Sequence, residues 1–245
     1  IKFTLQDGIK HYNQKELEQA IEYNLVTAKK KYKINKSRKT EFTAIELFSG
    51  CGGLPLGFQN AGISSELLVE IDKDSCETLK TNFKNTEIVC DDIANVDFKN
   101  FKNKVDIVAG GFPCQAFSYA GKSKGFEDTR GTLFFDFARA VKEIRPKVAV
   151  GENVKGLISH DKGRTLSTMI KSLEDLGYNV QYKLLLAQYF NVPQKRERVF
   201  IVATRKDLPD VYEYPDELDY FVPLQVALKD CPASEGQEYP KRKKE

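Results

Sequence analysis

Histidine is nearly absent from this chain of 245 residues, with His11 and His160 its only two. Neither lies in a pattern suited to metal ligation or to pairing with a cysteine, so a histidine-activated nucleophile is not expected, and no metal. Cysteine is sparse and unpaired: Cys51, Cys76, Cys90, Cys114 and Cys231 include no C-x-x-C. An odd count without that spacing argues against a disulfide framework or a structural zinc site and fits a reducing cytoplasm. Long apolar runs are missing as well. None approaches the ~20 residues that cross a bilayer, and no signal-peptide pattern opens the sequence. Excess charge is small, and a net +3 does not by itself indicate a polyanionic partner.

What is present is an ordinary globular composition, 41% hydrophobic and 30% charged, enough for one substantial core with a smaller appendage. The first residue is Ile1 rather than Met, which suggests a fragment. Residues 13 to 32 carry Leu17, Ile21, Leu25, Ala28 and Tyr32 on one helical stripe. Residues 28 to 40 then hold seven positive charges and no acid, a run that could touch phosphates or simply serve as a solvated linker. From residue 41 strands and helices alternate. Strands are expected at 42–48, 66–71, 87–90, 105–109, 147–150, 180–186 and 199–203. Helices are expected from the glycine turn to 58, and at 73–83, 133–144 and 166–176. Such alternation predicts an α/β fold, a mainly parallel sheet covered on both faces. The expected division is a basic helical extension over 1–40, a catalytic domain over 41–210, and the start of a further region over 211–245. That last stretch carries the acidic segment Asp210 to Glu217, with Tyr212 and Tyr214, and a half-formed element at Val222 to Leu228.

Two ends of this sheet carry chemistry. Phe48-Ser49-Gly50-Cys51-Gly52-Gly53-Leu54 follows the first strand of the alternating region and opens a helix, letting backbone pass close to a ligand. The spacing is G-x-G-G, which weakens a dinucleotide reading. Glu70 ends the second strand, where a carboxylate can accept from ribose hydroxyls. Asp92, after the third, can accept from the exocyclic amine of an adenine. Asp91 and Asp92 taken singly read better as helix caps or solvated loop residues. In order, the set describes an adenosine site better than a phosphate site. At the other end, Gly110-Gly111-Phe112-Pro113-Cys114-Gln115 leaves the strand at 105–109, placing a thiol where α/β sheets present reactive groups.

With these segments stand Gly125-Phe-Glu-Asp-Thr-Arg-Gly131, Glu152-Asn153-Val154 and Gln194-Lys195-Arg196-Glu197-Arg198. In this order across residues 43 to 205 they resemble the DNA cytosine-5 methyltransferases of bacterial restriction–modification systems. The resemblance implies a Rossmann-like methyltransferase fold using S-adenosylmethionine, with Phe48 to Leu54, Glu70, Ile71, Asp92, Ile93 and Pro113 around the cofactor. It implies Cys114 as the nucleophile at carbon 6 of cytosine, Glu152 as the acid relieving charge at N3, Arg198 on the base carbonyl and Arg196 in support. The glutamate role asks for a carboxyl able to hold a proton, which burial favours. A surface ion pair competes as a role for Arg196.

Double-stranded DNA is the implied partner, its cytosine swung out of the helix. Gln115, Ser118, Lys122, Lys124 and Arg130 are candidate DNA contacts on a loop over 115–131. The implied role is protection of host DNA from a cognate restriction enzyme. Relatives of this kind continue into a target-recognition region and a last motif that are not visible here, so truncation or a second polypeptide is expected. Three rivals remain: a tRNA cytosine methyltransferase, a non-catalytic DNA-binding subunit, and, more distantly, a nicotinamide dehydrogenase.

Overall fold

The computed structural model describes residues 3–6, 9–12, 14–31, 38–113, 133–209 and 212–228. In chain order the elements are β1 (Phe3–Gln6), β2 (Ile9–Tyr12), α1 (Gln14–Lys31), β3 (Thr43–Leu47), α2 (Gly53–Asn60), β4 (Ser64–Glu70), α3 (Lys73–Asn82), β5 (Glu87–Cys90), β6 (Ile107–Gly110), α4 (Leu133–Ile144), β7 (Val148–Val154), α5 (Arg164–Asp175), β8 (Tyr178–Leu186), β9 (Glu197–Arg205) and α6 (Leu224–Ala227). They divide into two units. The larger comprises residues 34–186 and 197–216, and the smaller comprises 1–33, 187–196 and 217–245.

The larger unit is an α/β fold built on a seven-stranded sheet of order β5-β4-β3-β6-β7-β9-β8. Every pairing is parallel except those of β9, which runs antiparallel to both β7 and β8. From β3 the chain winds outward through β4 to β5 and then returns to β6 on the other side of β3. That reversal is a topological switch point, and ligands of open α/β sheets bind outside the carboxyl ends of the strands at such a point. β3 ends there in Phe48–Gly53, and β6 ends there in Gly110–Pro113.

Alternation of apolar residues sets the two faces. Ile45 and Leu47 of β3 join Phe134, Phe137, Val141 and Ile144 of α4 in the main core, while Leu68, Leu79 and Phe83 form a smaller cluster. The α4 sequence LFFDFARAVKEI repeats apolar residues at three- and four-residue steps, which is why one stripe of it is fully buried. Each such buried side chain contributes ~1.5–3 kcal/mol.

In the smaller unit β1 and β2 form an antiparallel hairpin. α1 packs Ala28 and Leu25 with Tyr220, Val222 and Val226, while Ile21 is 56% exposed, although sequence placed it on the same stripe.

Candidate active site

At the end of β3 the backbone turns through left-handed conformations at Phe48 (φ 56°), Gly50 (φ 52°) and Gly52 (φ 94°). Gly52 is required twice over. Its φ suits a residue without a side chain, and a Cβ there would lie 2.5 Å from Cε2 of Phe83. Ser49 is buried and donates from Oγ to the Glu46 carbonyl at 2.9 Å, fixing the entry to the turn. Gly53 and Leu54 open α2, and Cys51 is exposed with its thiol 3.7 Å from the Ser75 hydroxyl.

Glu70 ends β4 with its carboxylate turned into this corner. Oε2 accepts the Gly50 N–H at 2.7 Å, and Oε1 accepts the N–H groups of Ile71 and Asp72, each at 2.9 Å. A carboxylate has about four acceptor positions, so three bonds fix its direction and leave capacity for one further donor. Ile71 is 65% exposed beside it. Asp92 follows β5, and its Oδ1 caps the short turn Ile93–Asn95 by accepting the Ala94 N–H at 2.9 Å. The capping role that sequence allowed for Asp92 is therefore present, while Ile93 is buried beneath it. Asp136 of α4 lies near enough to Asp92 to feel its charge. Burial first, and Asp92 after it, raise the Asp136 carboxyl above its ordinary value.

One strand across the switch point, β6 leads into Gly111, Phe112 and Pro113. Phe112 is buried with its ring 5.4 Å from both Phe134 and Phe137. Its carbonyl accepts from Nδ2 of Asn153 at 2.9 Å, and Asn153 is itself buried on β7 with Oδ1 accepting the Val154 N–H. The segment that ends in Pro113, an exposed residue, is thus pinned by packing and by a buried amide.

Glu152 projects from the same strand. Its Oε1 meets Nε of Arg198 at 2.9 Å, with both side chains about one-quarter exposed. Its Oε2 lies 3.3 Å from where a Cβ on Gly111 would stand. This carboxylate therefore sits against the backbone three residues before Cys114. Arg198 is oriented a second time, donating from its guanidinium to the Glu197 carbonyl at 2.8 Å. β9 begins at Glu197, one residue after Arg196. Arg196 instead lies in the preceding turn, its N–H bonded to the Gln194 carbonyl and its carbonyl accepting from Ala187.

Among the candidates, then, the larger unit gathers the turn Phe48–Leu54, Glu70, Ile71, Asp92, Ile93, Pro113 and Glu152 at the carboxyl ends of parallel strands, with Arg198 at the start of antiparallel β9. Cys114, Gln115, Ser118, Lys122, Lys124 and Arg130 lie outside the described residues. Asn153 is the residue whose positioning part sequence did not single out; its placement beside Glu152 at a strand end was the available signal. Among the described residues no group of His, Cys, Asp and Glu could hold a metal ion. No helix among them is long and apolar enough to cross a membrane.

Known proteins resemble this arrangement. The profile of C-5 cytosine-specific DNA methylases matches residues 42–239. The Type II methyltransferase M.Eco47II of Escherichia coli is 54% identical over 83% of this chain and 51% of its own length. M.PspPI of Psychrobacter sp. is 53% identical over the same shares, and M.HpaII of Haemophilus parainfluenzae is 45% identical over 77% and 53%. Among solved structures, the Spodoptera frugiperda DNMT2 mutant superposes with a TM-score of 0.59 at 26% identity, covering 75% of this chain and 57% of that one. A candidate DNA modification methyltransferase encoded within a prophage of E. coli gives 0.63 at 27% identity, covering 78% and 56%. The chain spans about half the length of the curated relatives it matches.

Proposed function

Because the chain belongs to the C-5 cytosine-specific DNA methylase family, we propose that it is the catalytic part of an enzyme that methylates carbon 5 of cytosine in DNA. The observation that carries this reading is the Glu152–Arg198 pair at 2.9 Å, set against the backbone that leads to Cys114. We assign residues 41–210 to catalysis, 1–40 to a basic extension and 211–245 to the start of the region that meets the target sequence.

The cofactor assignment is S-adenosylmethionine, which the glycine turn and Glu70 fit. The turn presents open backbone, with nothing within 4 Å of where a Cβ on Gly50 or Gly53 would stand, and the fixed Glu70 carboxylate keeps capacity for a hydroxyl donor. Phe48 to Leu54, Glu70, Ile71, Asp92, Ile93 and Pro113 would hold it. When bound it supplies an electrophilic methyl group.

The protein's own groups account for the rest. Carbon 5 of cytosine is a weak nucleophile while the ring remains conjugated. Addition of the Cys114 sulfur to carbon 6 breaks that conjugation and makes carbon 5 enamine-like, dividing one hard step into easier ones. Only the thiolate attacks, so Cys114 needs a setting that favours loss of its proton. As sulfur adds, negative charge grows on the pyrimidine. Glu152, protonated for this step, answers it by giving its proton to N3 and takes the proton back when the carbon–sulfur bond breaks, and Arg198, with donors aimed by its bond to the Glu197 carbonyl, answers it at the ring carbonyl. Such preorganised donors are worth most when they need not reorient as charge develops. Arg196 supports the same base. After carbon 5 accepts the methyl, it loses its proton and the carbon–sulfur bond breaks, freeing Cys114.

The target atom is out of reach inside a duplex, so the cytosine must be extruded. Gln115, Ser118, Lys122, Lys124 and Arg130 are assigned to the DNA contacts of that state. The proposed setting is cytoplasmic, protecting DNA from a cognate endonuclease. The test is transfer of labelled methyl from S-adenosylmethionine by the intact protein to duplex DNA and to tRNA. Labelled 5-methylcytosine in the DNA is expected. Label confined to tRNA, or a methyl on the exocyclic nitrogen, would overturn the assignment.

A further inference from the structure

Three cysteines lie within one corner of the larger unit, and the proposed reaction uses none of their sulfurs. Cys76, in the first turns of α3, is 1% exposed. Its Sγ lies 3.5 Å from the Glu70 carbonyl oxygen. Cys90 ends β5 and is exposed, and in the β4–β5 ladder its register partner is Glu70. Glu70 thus has one cysteine beneath its carbonyl and another beside it on the next strand. The two sulfurs are near enough for each to feel the charge of the other. Cys51, by contrast, is placed against Ser75.

The geometry points to a modification site: we propose that Cys76 and Cys90 form a reversible disulfide when a hydroperoxide oxidises the exposed thiol, and that the bridge weakens cofactor binding through Glu70. The second half of this statement rests on the cofactor site proposed above; the first half does not.

The order of events follows from exposure. Burial, reinforced by the neighbouring Cys90, pushes the Cys76 thiol up to about 12, so it is not the group that meets an oxidant in solution. Cys90 is. Its sulfur attacks a peroxide oxygen, a sulfur–oxygen bond forms, the oxygen–oxygen bond breaks, and the thiol proton leaves with the departing oxygen as water when the oxidant is hydrogen peroxide. The product is a sulfenic acid at Cys90. The Cys76 sulfur then attacks the Cys90 sulfur. A sulfur–sulfur bond forms, the sulfur–oxygen bond breaks, and the Cys76 proton leaves with hydroxide as a second water. Two thiols are oxidised by two electrons and one peroxide is reduced; a dithiol reverses the change by exchange.

The consequence is local. A disulfide requires the two sulfurs to close to ~2.05 Å, which draws the end of β5 toward α3. The Cys76 S–H that faced the Glu70 carbonyl is consumed. Asp91, which donates its N–H to the same carbonyl at 3.0 Å, and Asp92 after it follow Cys90 directly. Both acids assigned to the adenosine, Glu70 and Asp92, are therefore tied to the moving segment. Displacing one charge-assisted contact corresponds to roughly tenfold weaker binding.

The experiment treats the intact protein with hydrogen peroxide, then maps disulfides by mass spectrometry without reduction and measures S-adenosylmethionine affinity before oxidation, after it, and after dithiothreitol. A Cys76–Cys90 linked peptide is expected, with cofactor binding roughly tenfold weaker and restored by the dithiol. Cys90→Ser should bind cofactor as the reduced protein does and lose the response to peroxide. If Cys90 is oxidised without bridging to Cys76, or bridges to Cys51 instead, the modification site is refuted whatever the cofactor does. If the bridge forms and binding is unchanged, the link to Glu70 is refuted. Failure of the reduced protein to bind S-adenosylmethionine would instead count against the proposed function and leave the bridge standing.

Discussion

Glu46 offers a quantitative handle on the strand beneath the glycine turn. It is the last residue but one of β3, completely buried, with Oε1 accepting from the Ser65 hydroxyl at 2.8 Å and Oε2 without a hydrogen-bond partner. Burial pushes its carboxyl from an ordinary 4.5 up to about 7. The folded protein therefore holds this proton more tightly than the unfolded chain. Its stabilising contribution is complete below pH 4.5 and is lost as the pH rises through 7. At ~1.4 kcal/mol per tenfold change in proton affinity, the loss amounts to ~3 kcal/mol.

Glu46→Gln keeps the acceptor for Ser65 and removes the titration, at a cost of ~1 kcal/mol for an amide NH2 placed where Oε2 has no partner. The two proteins should be of nearly equal stability near pH 5, and the variant the more stable near pH 8.5 by ~2 kcal/mol. Urea unfolding of both proteins across that range reads the difference directly. Near pH 8.5 it should also move the melting temperature of the variant up by ~4–8 °C for a domain of this size. Parallel stability curves for the two proteins from pH 5 to 8.5 would refute the placement of an unpaired acid in this strand.

Other consequences concern the site. Asn153→Ala removes the buried donor to the Phe112 carbonyl. It should cost ~1–3 kcal/mol of stability and lower kcat more than it raises the KM for cofactor, which a steady-state comparison checks. Gly52→Ala forces a Cβ into the Phe83 ring at a left-handed backbone position; a cost of ~1–3 kcal/mol and weakened S-adenosylmethionine binding by titration calorimetry are expected. Arg198→Lys keeps a charge but loses the fork that spans Glu152 and the Glu197 carbonyl. Its kcat for DNA methylation should fall ~10²-fold or more, with cofactor affinity kept.

Much of this arrangement is legible in the sequence. Runs such as Ile45–Leu47 and Val148–Val150, punctuated by glycine turns and amphipathic helices, locate the elements of the larger sheet to within a few residues, because local periodicity decides them. Strand order does not follow from periodicity. The antiparallel insertion of β9 between β7 and β8 joins segments by their pairing partners, so the sequence pattern leads only to a mainly parallel sheet. The β1–β2 hairpin lies outside the expected elements, although Asp7-Gly8 between Phe3–Gln6 and Ile9–Tyr12 is a tight-hairpin pair that could have signalled it.

At the site, Glu70 and Glu152 were visible as acids at strand ends. The bond from Asn153 to the Phe112 carbonyl was not, since it depends on two strands lying side by side. Arg196 and Arg198 are two residues apart, a spacing that would put both on one face of an extended segment. The turn closed by the Arg196 N–H on Gln194 leaves only Arg198 within the strand.

The central claim is that a cysteine sulfur at position 114 bonds to the pyrimidine, and a mechanism-based trap tests it most directly. The intact protein would be incubated with S-adenosylmethionine and duplex DNA carrying 5-fluorocytosine at the target position. Fluorine at carbon 5 blocks the proton loss that releases the enzyme. A denaturation-resistant protein–DNA adduct is expected, its linked peptide should contain Cys114, and Cys114→Ser should yield none. Methylation of ordinary DNA by Cys114→Ser, or an adduct mapped to any other residue, would contradict the account.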